Sequence, residues 1–113
     1  MSADSAMHDL HHPARDELQL GEVLHALSDP VRLQIVQSLV QADGEVACGQ
    51  FPLSLAKSTV SHHFKVLREA GVLQGRTEGT RRFHSLRRDD LDARFPGLLD
   101  AVLESAAAPV RSS

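Results

Sequence analysis

The sequence predicts a small, mainly α fold with one β-hairpin, and three observations carry that expectation. Three segments repeat their apolar residues at helical spacing: Leu20, Val23, Leu24 and Leu27; Leu33, Val36, Leu39 and Val40; and Val60, Phe64, Leu67 and Gly71. After them, VLQGRTEGTRRFHSL joins two strand-compatible runs at Glu78-Gly79, where glycine supplies the positive φ of a tight turn. At 113 residues with 42% hydrophobic content, the chain has material for one modest core.

The elements follow in chain order. Residues 1–12, MSADSAMHDLHH, have no sustained apolar period and read as a flexible arm. Pro13 suits the first turn of a helix that carries the Leu20 stripe. Ser28-Asp29-Pro30 stops that helix and starts the next, which Asp43-Gly44 closes. EVACGQFPLSLA, residues 45–56, is interrupted by Gly49 and Pro52 and reads as a short helix ending near Phe51, then a turn.

The stretch KSTVSHHFKVLREAG follows, with Ser58 as cap and Gly71 as stop. Its apolar residues fall within about 60° of one another at 100° per residue. Ser58, Ser61, His62, Lys65 and Glu69 lie largely on the far side, and His63, nearer the apolar stripe, is assigned a buried, structural role. In the hairpin beyond, Phe83 and Leu86 are expected to anchor the second strand to the core. Asp89 and Asp90 can cap a last helical region, split by Pro96-Gly97, whose second piece carries Leu99, Val102, Leu103 and Ala106. The folded domain is thus expected over residues 13–107, and residues 108–113 as a disordered tail.

Charge narrows the partner. Net charge is −3, but residues 57–88 hold eight basic and two acidic groups, against two and eight in residues 1–56 and two and five in residues 89–113. A cationic middle between acidic flanks suits a polyanion-binding surface. With no Trp or Tyr, an aromatic platform for single strands is not expected. Ser58, Ser61, His62 and His63 supply nucleophile and base by type, but neighbours on one helix provide no oxyanion hole and no orienting third group, so an enzyme is not expected. The longest apolar run is a few residues and no cationic, hydrophobic leader opens the chain, so the sequence predicts a cytoplasmic protein without a membrane span.

A short helix, a turn, a helix with a polar outer face and a basic hairpin form the layout of a winged helix-turn-helix, whose second helix enters the major groove of duplex DNA. On LSDPVRLQIVQSL at residues 27–39, STVSHHFKVLREAGVL at residues 58–73 and the R-x-E-G turn at residues 76–79, the chain resembles the ArsR/SmtB-type bacterial repressors, small dimeric winged-helix proteins. The resemblance covers roughly residues 24–86. It implies DNA contacts from Lys57, Ser58, Thr59, Ser61 and His62, with Lys65 and Arg68 suited to phosphates. In the wing it points to Arg76, Thr80, Arg81 and Arg82, with Arg87 and Arg88 behind. It further implies a homodimer, to which we assign Leu20, Val23, Leu24, Leu99, Val102 and Leu103.

The chain departs from the metal-sensing members of that family. A paired-cysteine site is missing, because Cys48 stands alone in EVACGQF. Asp92 and Asp100 have no histidine near them in sequence, and Pro96 breaks the face between them, so no cofactor is expected. His8, His11 and His12 at helical spacing, and Cys48 as a redox switch, are the remaining sensor candidates; a polar arm that merely contains histidine and a buried apolar cysteine are the favoured readings. The rival to a regulator is a winged-helix fold kept as a protein-interaction module, working through its acidic flanks.

Overall fold

The structure is a computed structural model that describes residues 12–42, 44–47 and 56–107. Its helices are α1 (Leu20–Leu27), α2 (Pro30–Ala42), α3 (Lys57–Ala70), α4 (Arg88–Arg94) and α5 (Leu98–Ala107). Its strands are β1 (Val46–Ala47), β2 (Leu73–Glu78) and β3 (Arg81–Leu86). They form one antiparallel sheet in the order β1-β3-β2, with β3 central. The wing hairpin turns through Gly79 and Thr80, with Gly79 at φ +63°.

The core is built where α1, α2 and α3 meet the start of the sheet. Val23, Ala26 and Leu27 from α1 pack with Ile35, Val36 and Leu39 from α2 and with Phe64, Leu67 and Ala70 from α3. Val72, Leu73, Leu91 and Leu99 close it beneath. Burying these apolar side chains is the main term opposing chain entropy in so small a domain.

Leu18 and Gly71 fix how α3 is set into this core. Gly71 terminates α3 at φ +88°, its amide donating to the Arg68 and Leu67 carbonyls, and an added Cβ there would overlap the Leu18 side chain. Leu18 itself is buried, on extended backbone before α1. This corrects the expected start of the first helix at Pro13. Only a 3₁₀ turn, Arg15–Glu17, forms there, because tertiary bonds take the carbonyls: Arg87 Nη1 donates to Pro13 at 2.7 Å and Arg94 Nη2 to Leu18 at 2.6 Å.

Four further expectations are corrected. The buried stripe of α2 is Arg32, Ile35, Val36 and Leu39, with Val40 exposed, because Arg32 rather than an aliphatic residue takes the first inward position. Val46 and Ala47 pair with His84 and Phe83 as a strand, where a short helix was expected; residues 48–55 lie outside the described residues. Strand alternation places Phe83 and Leu86 on opposite faces. Leu86 packs on the core, whereas Phe83 lies beneath the guanidiniums of Arg76 and Arg81 at 4.8 and 5.0 Å, and His84 is the buried side chain of β3. Finally, α3 starts at Lys57 on Ala56, with no side-chain cap from Ser58.

Candidate nucleic-acid interface

The outward face of α3 is a row of donors. Phe64 and Leu67 are drawn into the core, and the 3.6-residue period then turns Lys57, Ser58, Thr59, Ser61, His62 and Lys65 out, all exposed. No acidic residue lies in the first turn. His63 is half-buried as expected, its Nδ1 3.2 Å from Arg32 Nη1 and 3.8 Å from Asp29 Oδ2. At the wing tip, Thr80, Arg81 and Arg82 are exposed.

Two of the arginines assigned to DNA are engaged by other groups of the fold. Arg68 is half-buried, with Nη1 3.3 Å from His84 Nε2. Arg76 donates from Nε and Nη2 to both carboxylate oxygens of Glu45, and from Nη1 to Glu78. Its bond to Glu45, then that to Glu78, raises the Arg76 pKa, and the Arg76 bond lowers that of Glu45. Arg87 and Arg88 behind the wing are ion-paired, Arg87 with Asp90 and Arg88 with Asp100 and Asp92.

His84 is buried in the sheet, stacked on Phe64 with centroids 4.3 Å apart. Burial, reinforced by the Arg68 and Arg82 charges and by His12, pushes its pKa down to about 4. A Cβ at Gly75, its cross-strand partner, would lie 3.0 Å from His84 and from Arg68, so a larger residue fits there only if those side chains give way. The Gly75 amide donates to His12 Nε2 at 2.8 Å. His8, His11 and Cys48 lie outside the described residues, among which no group of three or more His, Cys, Asp or Glu side chains could hold a metal ion. Asp92 and Asp100 both face Arg88.

Of the residues assigned to a dimer surface, Val23 and Leu99 are core residues of the single chain, 1% and 2% exposed. Leu20 and Leu24 are 46% and 44% exposed on α1, and Val102 and Leu103 are half-buried on α5. Sequence reasoning missed Arg32 and His84. Arg32 carried a signal, since it lies at i−3, i−4 and i−7 from Ile35, Val36 and Leu39.

Residues 27–76 match the helix-turn-helix domain family. A regulator of the helix-turn-helix type from Bacillus subtilis, YceK, is 35% identical over 89 residues, which span 77% of this chain and 89% of the relative. The transcriptional repressor BigR from Xylella fastidiosa superimposes with a TM-score of 0.60 at 29% identity, covering 80% of this chain and 88% of BigR. This chain belongs to the helix-turn-helix transcriptional regulators. The fold alone is shared with an ArsR family regulator of known structure, at a TM-score of 0.61 and 19% identity, over 79% of this chain and 98% of that one. A helix-turn-helix regulator works by binding DNA, which agrees with a face of α3 made of exposed donors. No helix among the described residues of this regulator is long and apolar enough to cross a membrane.

Proposed function

We propose that this helix-turn-helix regulator is a cytoplasmic homodimeric repressor of ArsR type that occludes a promoter by placing α3 in the major groove of its operator and the wing along the adjacent backbone. The observation that carries the reading is the uninterrupted row of exposed donors from Lys57 to Lys65, backed by the buried Phe64 and Leu67. Hydroxyls and an imidazole at the start of the helix suit base edges, while Lys57, Lys65, Arg81 and Arg82 suit phosphates. One recognition helix reads only a few base pairs, so a specific site calls for two copies about one helical turn apart. The exposed Leu20 and Leu24, with Val102 and Leu103, supply an apolar surface for the second copy. BigR is itself a repressor, which favours repression over activation.

Fluorescence anisotropy on the duplex upstream of the regulator's own gene, against a scrambled duplex and at two salt concentrations, tests the reading. A preference of about a hundredfold or more for the native duplex, with affinity falling steeply in salt, is expected. Equal weak binding to both would overturn it in favour of a protein-interaction module.

A further inference from the structure

Arg32 is 8% exposed, and a buried guanidinium costs several kcal/mol unless its donors are satisfied. Its partners therefore say what it holds. Nε donates to the Ala26 carbonyl at 2.7 Å and Nη2 to the His25 carbonyl at 3.4 Å. Both belong to the last turn of α1, where the helix dipole is negative, so the helix end compensates the charge; the His25 carbonyl also accepts the Ser28 amide and hydroxyl at 3.1 and 2.7 Å. Nη1 lies 3.2 Å from Nδ1 of His63, in the middle of α3. A guanidinium only donates, so Nδ1 accepts and the ring proton is on Nε2.

Asp29 completes the junction. Its Oδ2 accepts the amides of Val31 and Arg32 at 2.8 and 3.1 Å, capping α2, and stands 3.8 Å from His63 Nδ1. Burial raises the Asp29 pKa, but these two amides and the Arg32 charge outweigh it and hold the carboxyl below its usual value. The end of α1, the start of α2 and the recognition helix thus meet at one side chain. Arg32 itself faces inward, away from the donor row of α3.

We propose that Arg32 is a positioning residue for operator recognition: through His63 it holds α3 at a set angle to α1, and so sets the separation of the two recognition helices in the dimer. The inference rests on the DNA-binding reading above. Lysine cannot replace arginine here, since a single ammonium cannot span two α1 carbonyls and an imidazole on α3. A side chain that merely fills the core would change stability without changing which half-site spacing is preferred.

The test compares wild type, Arg32→Lys, His63→Ala and the double variant on duplexes with native half-site spacing, with one or two base pairs inserted, and on a scrambled duplex. Each single variant is expected to lose about tenfold on the native spacing and nothing on the scrambled duplex, and to discriminate at least threefold less between spacings. The double variant is expected to be no weaker than the weaker single, as residues acting through one contact are not additive. Additive losses, which would mean that His63 touches DNA on its own, overturn the inference. So does an unchanged spacing preference in His63→Ala, a variant that keeps the bonds from Arg32 to α1 and stands alone if Arg32→Lys does not fold. A wild-type protein with no operator preference overturns the regulator reading itself, and this inference with it.

Discussion

Arg76 on β2 reaches across the central strand to Glu45, which precedes β1, and binds both its carboxylate oxygens at 2.7 and 2.8 Å. The guanidinium passes over Phe83 on the way, so one side chain ties the two outer strands together above the middle one. Both partners are about 40% exposed, so solvent screens the pair and it adds little to stability. Its consequence is geometric: it braces the base of the wing.

Arg76 should therefore behave unlike its neighbour Arg81. Arg81→Ala is expected to reduce the slope of log affinity against log salt by about one for each phosphate that Arg81 neutralises. Arg76→Ala should leave that slope within about 0.5 of wild type. A reduction in Arg76→Ala equal to that in Arg81→Ala would show that the pair with Glu45 opens on DNA.

His84 makes stability depend on pH. Its pKa in the folded chain is about 4 against 6.5 for an ordinary histidine, so between those values the unfolded chain binds the extra proton. Stability is then full above about 6.5 and lost as pH falls towards 4, by at most about 2 to 3 kcal/mol. Urea unfolding at pH 7 and pH 5 should show this loss in wild type and a smaller one in His84→Gln. Equal losses in both would place the pH dependence on other groups.

Gly71 and Gly79 both have positive φ but differ in their surroundings. A Cβ at Gly79 meets nothing within 4 Å, whereas at Gly71 it overlaps Leu18. Gly79→Ala should cost about 1 kcal/mol from backbone strain, and Gly71→Ala about 2 kcal/mol or more. In thermal melts the latter corresponds to a drop of roughly 10 °C for a domain of this size. Equal drops in the two variants would remove the overlap with Leu18 from the account.

The dimer surface is tested on the exposed α1 leucines. Leu20→Asp with Leu24→Asp should shift sedimentation from dimer to monomer while circular dichroism stays unchanged. A sedimentation coefficient identical to wild type would sink the assignment of α1 to the interface.

What could be read from residues alone varied with the range of the interaction. Gly71 and Gly97 end helices by adopting positive φ and Pro96 by its fixed φ, all local effects, and the structure has its breaks there. The stripe of α3 was legible because Val60, Phe64 and Leu67 share a face with no polar intruder. In α2 a charged residue occupies the inward position, and a reading that counts only apolar residues rotates the helix about its axis. Pro13 failed as a helix start for a different reason: residues 12–18 are held by Arg87, Arg94 and Asp90, some 75 positions away in sequence.

By itself, the sequence determined the mainly α winged layout, the outward donors of α3 and the cationic middle, because helical period and local charge depend on neighbours in the chain. Only the tertiary structure decided which basic residues are free. Arg32, Arg68, Arg76, Arg87 and Arg88 all look like solvated charge in one dimension, and each is held by groups from another element. A guanidinium reaches several ångströms in any direction, and what it meets there is set by the packing of distant segments.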